Sequence, residues 1–364
     1  MKSFKIPSFP VGAESNGFIA ALSSAVLYCL HIPEEYSYWC KPKGSYCMQC
    51  GACGNLSVLS KLQEEIYHAL LTVSGLAFTF DYPEDDSVPY HTMPNTPAGW
   101  RWPDSFVADI LDFAGLSYTR YENKSVQEMR GRVKDIADCG FTALVSNHGP
   151  WQNETDWNRS WRVVCGYTNA GICIMHSGGE VVTECQGAYE DWILITGRTE
   201  RRQTDRDLLK RIYQILTDPS HDKLEREIYD DLSHVTPENA IGLAYKMMEI
   251  NGVPIETRWH AAEAFYPGDK LLFPLMKEEK IQKELGDLLF SRYIADNNNE
   301  THGTGWKIWN ALQVGPDTNY LPAEESFALI QKPQVQRTLR DLYKIVFDND
   351  RAVAKGICKI LEEI

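Results

Sequence analysis

Apolar positions fall along this chain in two different rhythms. From Phe18 to Leu30 almost every residue is apolar or small. At helical pitch such a run has no polar face, so it predicts a helix buried on all sides, opened by the cap residues Ser15 and Asn16. After a loop over 31–54, Asn55 caps a second helix whose Leu56, Leu59, Leu62, Ile66, Leu70 and Val73 recur on one face. A Pro-rich polar stretch, Tyr82–Pro103, separates this from a short helix, Asp104–Ala114, ended by Gly115. The rhythm then changes. Leu116–Tyr121, Phe141–Ser146, Trp161–Tyr167, Gly171–His176 and Trp192–Thr196 predict strands, two of them joined by the turn Thr168-Asn169-Ala170. Between the first two lies a helix with a Ser125/Glu128 capping box and a Cys139-Gly140 end.

Beyond Gly197 the pattern is helical throughout: Asp205–Thr217, Asp222–Leu232, Pro237–Asn251, Glu256–Phe265, Lys277–Asn297, Gly305–Leu312, Pro322–Ile330 and Gln334–Glu363. The expected fold class is α+β: helices packed on a mostly antiparallel sheet over residues 1–198, followed by an all-α domain over 199–364. Composition sharpens this division. Nine of the ten cysteines precede residue 200, and only Cys358 follows it. The net charge of −14 argues against nucleic acid or an acidic membrane surface as a partner. The apolar run at Phe18–Leu30 is shorter than the ~20 residues of a spanning helix. Pro7, Pro10 and Glu14 precede it, unlike a signal peptide. The expectation is a cytoplasmic chain with reduced thiols.

Chemistry concentrates in the first domain. Cys40, Cys47, Cys50 and Cys53 lie within one loop beside Gly51 and Gly54. Four thiolates at such intervals suit tetrahedral zinc, which would staple a loop poor in apolar residues. The same residues admit three other readings. They could be an iron–sulfur run with Ser57 at the fourth place, a reactive Cys53 just before the Asn55-capped helix, or thiols without a role. His148 ends a strand in Ser-Asn-His-Gly-Pro-Trp, a common place for site residues. Trp151, Trp157 and Trp161 follow closely and could wall a ligand pocket, though tryptophans more often pack cores. Cys53 with His148 or His176, and Cys165 with His148, are the thiol–imidazole pairings open to catalysis. His260 and Glu263 share a helix face and read as a surface or capping pair.

The order of elements from about residue 14 to 196 resembles the papain-like superfamily, in particular the bacteriocin-leader-peptidase type and the N-terminal domain of butirosin biosynthesis protein H. Ser160–Ser177, with its Val163-Val164-Cys165-Gly166-Tyr167 core, carries the resemblance, and Val73–Phe80 adds to it. Catalytic relatives hold a cysteine at the start of the buried helix, where this chain has Asn16 and Gly17. They hold a histidine before the Gly-Tyr strand, where it has Ser160, and an aspartate after the next strand, near His176. The resemblance therefore implies a papain-like fold acting on a small molecule or peptide by acyl or amide transfer or hydrolysis. A rearranged site would use Cys53 with His148 or His176. The other reading is a non-catalytic domain that binds its ligand in the old cleft beside a zinc-stapled loop.

Overall fold

A computed structural model describes residues 2–3, 17–30, 58–79, 104–147, 161–175, 181–250, 255–265, 275–295, 301–313, 325 and 328–364. The described residues mix helices with one antiparallel sheet, and the chain divides into two compact units. One comprises Met1–Leu70 and Thr96–Gln203, the other Leu71–Asn95 and Thr204–Ile364.

In the first unit, α1 (Gly17–Cys29), most of α2 (Val58–Ser74) and α3 (Asp104–Phe113) precede the main strands. These are β2 (Leu116–Ser125), β3 (Ala143–Ser146), β4 (Arg162–Tyr167), β5 (Ile172–Met175), β6 (Val181–Glu184) and β7 (Ala188–Arg198), with α4 (Val126–Asp138) between β2 and β3. They line up as β2-β7-β3-β4-β5-β6, each pair antiparallel. A short β1 (Lys2–Ser3) pairs with the end of β4. Strand alternation divides the sheet between two helices. Ala143, Val145, Val164, Ile174 and Trp192 pack with Val126, Met129 and Val133 of α4. The alternate residues Leu144, Val163 and Trp161 are equally buried and face the opposite side, where α1 packs on β3 and β4. Both sheet faces are thus covered at the centre. That is why α1 is apolar all round: Phe18, Ile19, Leu22, Ala25 and Val26 are fully buried.

Three expectations change in detail. The capping box is present, with the Glu128 N–H donating to Ser125 Oγ and the Ser125 N–H to the Glu128 carboxylate, but β2 runs on to Ser125. β7 extends from Ala188 to Arg198 because it pairs with β2 and β3 along its length. β6 was absent from the sequence reading. It is an edge strand exposed on both faces, with Val181 53% and Val182 40% accessible, so no burial alternation marks it.

The second unit is helical: α5 (Asp205–Leu216), α6 (Pro219–Asp231), α7 (Ala240–Ile250), α8 (Glu256–Phe265), α9 (Glu279–Tyr293), α10 (Thr301–Ala311) and α11 (Pro333–Glu363). The long α11 lays Leu339, Leu342, Tyr343, Val346 and Phe347 into a core with Leu224 and Ile228 of α6, Leu243 and Met247 of α7, and Ile308 of α10. Helices α8 and α9 approach closely at Gly286, where an added Cβ would stand 2.5 Å from the Phe265 carbonyl oxygen. α6 starts at Pro219, three residues before the expected point, because Asp218 caps it by accepting from the Ser220 N–H. Most of the helix expected over Pro322–Ile330 lies outside the described residues. At its end Leu329–Gln331 form a 3-10 turn.

Residues 71–79, which the sequence reading placed in the first domain, belong to this helical unit. Gly75 turns the chain there at φ 85°, and carbonyls at and beyond the end of α2 find side-chain donors. Arg211 donates to the Val73 oxygen at 2.8 Å, Thr257 to that of Ala77 at 3.3 Å and Arg258 to that of Phe78 at 3.2 Å. Buried backbone acceptors require such partners, and here side chains of α5 and α8 supply them.

Candidate functional site

Of the residues singled out from the sequence, Cys40, Cys47, Cys50, Cys53, His148, Trp151, Trp157 and His176 lie outside the described residues. Among the described residues no group of three or more metal-ligating side chains converges. Trp161 is described. It begins the segment of β4, is 1% exposed, and packs edge-on against Phe18 of α1 with ring centroids 4.8 Å apart at 62°. Phe106 of α3 adds a second ring 6.2 Å from Phe18. The fold therefore brings the first turn of α1 against the start of β4. Asn16 and Gly17 precede Phe18 directly, and Ser160 precedes Trp161.

Two described thiols of this unit, Cys29 and Cys165, are not poised for attack. Cys29, at the end of α1, is fully buried. Burial pushes its thiol up to about 12, only partly offset by the Thr142 backbone and Arg198. Burial likewise pushes Cys165 on β4 to about 11, and the neighbouring Cys173 adds to the rise. Both are neutral thiols at pH 7, and a thiol rather than a thiolate is a weak nucleophile. This disfavours Cys165 as the partner of His148.

The helical unit holds a polar centre that the sequence reading missed. Arg258 on α8 is fully buried and meets Asp350 on α11. Its Nε donates to Oδ1 at 2.9 Å and its Nη2 to Oδ2 at 2.7 Å. Tyr293 at the end of α9 donates to the same Oδ1 at 2.8 Å. The attraction of Asp350 holds the Arg258 guanidinium above its usual range despite complete burial. Beside it, His221 of α6 places Nε2 3.2 Å from the Phe78 carbonyl oxygen. Burial, and then the Arg258 charge, lower the His221 pKa, so the ring is neutral at pH 7 and Nε2 is the protonated nitrogen.

Asp350 and His221 line a cavity of about 430 Å³, within the range of small-molecule sites. Leu216, Phe347 and Ala354 form its buried floor with Asp350. Tyr213 and Cys358 stand at its walls, and Asp218, Asp222, Arg351 and Lys355 at its rim. Arg351 is already held by Glu225, by Asp348 at 2.9 Å and by Asp222 at 3.5 Å. One signal in the sequence marked this place: Asp350 falls in step with Tyr343, Val346, Phe347, Val353 and Ile357 on the apolar stripe of α11. His260, expected at the surface, is instead buried at 4% exposure on α8. Glu263 one turn on is half-buried, and burial raises its pKa.

The chain matches no protein-family model, no curated protein and no solved structure.

Proposed function

We propose that the first unit is a papain-like domain that binds a peptide or small molecule without cleaving it, with the Cys40, Cys47, Cys50 and Cys53 loop held by zinc. One observation carries this reading. The start of α1 and the start of β4 meet, but they meet through Phe18 and Trp161. In catalytic relatives these two places bring a cysteine and a histidine together. Here the sequence places Gly17 next to Phe18 and Ser160 next to Trp161, whose rings are buried against each other, so these two places carry neither the nucleophile nor its base. The protonated state of Cys29 and Cys165 agrees with this.

The test reinstates the missing pair. In Gly17→Cys the new thiol titrates near the ordinary thiol value, apart from the helix-terminus effect. In Gly17→Cys with Ser160→His, a facing imidazole lowers the midpoint by roughly one unit or more, read from the pH dependence of iodoacetamide alkylation. Identical midpoints in the two variants refute the papain-like placement. Metal analysis of the wild-type protein separates the two functional readings. One zinc per chain removes Cys53 as a nucleophile. Rapid single-site alkylation of metal-free Cys53, lost on replacing His148 or His176, would instead favour the reading of a reactive thiol–imidazole pair there.

A further inference from the structure

We propose that His221 is an acid-sensitive latch with two positions: neutral, its ring ties the turn Leu76–Phe78 to α6, and charged, it swings into the adjoining cavity toward Asp218 and releases that turn. The device lies wholly within the helical unit and does not rest on the reading given for the first unit.

The closed position is set by one oxygen. The Phe78 carbonyl receives both His221 Nε2 and Arg258 Nη2, each at 3.2 Å. Phe78 is fully buried and ends the 3-10 turn Leu76–Phe78, which carries no charged side chain. A neutral imidazole shares this acceptor with a guanidinium without conflict. An imidazolium puts a second cation beside Arg258, which is itself fully buried, where repulsion is poorly screened. His221 is also the third residue of α6, three beyond the cap Asp218, where the exposed N–H groups of a helix start disfavour positive charge. Burial and the Arg258 charge accordingly hold its pKa below the ordinary value of 6.5. Asp350, the Phe78 contact and Asp218 act the other way and are outweighed.

The open position is provided by the cavity. His221 belongs to its lining, so the ring has about 430 Å³ of space beside it. Asp350 is no destination, because Arg258 and Tyr293 already fill its carboxylate. Asp218 and Asp222 stand exposed at the rim on the same helix as His221. Asp222 already faces Arg351, which Glu225 and Asp348 also hold, so Asp218 is the carboxylate that receives the charged ring. Lys355 of α11 is exposed to water, and Tyr213 and Cys358 complete the titratable lining. The open form takes up the proton more readily than the closed one. The latch is therefore fully closed above about pH 6.5 and loosens as pH falls below it.

Hydrogen–deuterium exchange of the full chain at pH 7.5 and pH 5.0, corrected for the intrinsic pH dependence of exchange, reads the turn directly. The Phe78 and Thr79 N–H groups close it by donating to the Gly75 and Leu76 oxygens. Their protection should fall at least about threefold at the lower pH. In His221→Gln the side-chain amide still reaches the Phe78 oxygen as a donor but takes up no proton, so protection should be the same at both pH values. Circular dichroism confirms that this variant is folded. On the wild type, NMR of the imidazole C–H signals should give His221 a midpoint below 6.5, the signal being identified by its loss in His221→Gln. Asp218→Asn keeps a good helix cap but removes the rim charge, and should lower that midpoint further. A His221 midpoint at or above 6.5 overturns the proposal, as does one that Asp218→Asn leaves unchanged. So does unchanged protection of Phe78 and Thr79 in the wild type, or an equal fall in the wild type and His221→Gln.

Discussion

Removing the guanidinium from the buried pair of the helical unit should be among the most damaging single changes there. Arg258 is 0% exposed and Asp350 2%. Three short hydrogen bonds, at 2.9, 2.7 and 2.8 Å, satisfy the carboxylate. Arg258→Met supplies an apolar side chain of similar length and leaves Asp350 with Tyr293 alone. Stripping one partner from a buried pair typically costs about 3–5 kcal/mol, because the remaining charge has no water to return to. The Phe78 carbonyl keeps its His221 contact, so little is lost there. With a urea slope of about 2 kcal/mol per molar, the midpoint followed by far-ultraviolet circular dichroism should fall by about 2 M. The double variant Arg258→Met with Asp350→Asn removes the stranded charge yet retains an acceptor for Tyr293. It should recover more than half of the loss. If Arg258→Met lowers the midpoint by less than about 0.5 M, or if the double variant is no better than the single, the pair does not hold the unit together as argued.

Other expectations rest on equally local features. Gly286→Ala would ordinarily favour a helix by up to about 1 kcal/mol, but its Cβ would stand 2.5 Å from the Phe265 oxygen. Thermal unfolding should therefore show a net loss of roughly 1–3 kcal/mol, and a rise in melting temperature would contradict the close approach of α8 and α9. Cys29 and Cys165 should resist iodoacetamide at pH 8 while exposed Cys139 is labelled, which peptide mapping would read directly. Because the folded thiols titrate above their ordinary value of 9.0, at about 12 and about 11, the unfolded chain releases these protons first. Their contribution is complete below about pH 9 and is lost as pH rises toward 12, so urea midpoints of the first unit should decline across that window and not below it. Ser125→Ala removes the side chain that accepts from the Glu128 N–H and should cost about 1 kcal/mol.

Much of the architecture was legible because it depends on short-range periodicity. The α1 run, the α4 capping box and the α11 stripe each announce a helix within a few turns, and β3, β4 and β5 announce themselves by apolar β-branched runs. What escaped was set by distant partners. β6 is a strand because β5 pairs with it, and β7 reaches Arg198 because β2 and β3 accompany it. Phe18 and Trp161 are 143 positions apart, and no local pattern says that their rings touch. Residues 71–79 read as a continuation of the first domain, yet their carbonyls are satisfied by α5 and α8. Arg258 and Asp350 illustrate the same limit. Each looks out of place on an apolar face, but that they meet, 92 residues apart, follows only from the packing of α8 and α11 on α9, which carries Tyr293.

The sequence alone therefore determined the class of the protein: a helix-and-antiparallel-sheet part rich in cysteine, then a charged helical part, because hydrophobic period and capping are properties of neighbouring residues. Tertiary structure decided which faces meet. It covered both sides of the sheet, closed the start of α1 against β4 with aromatic rings, and opened a cavity beside a buried ion pair. Burial and ion pairing arise between residues remote along the chain, and only the folded geometry brings them within reach.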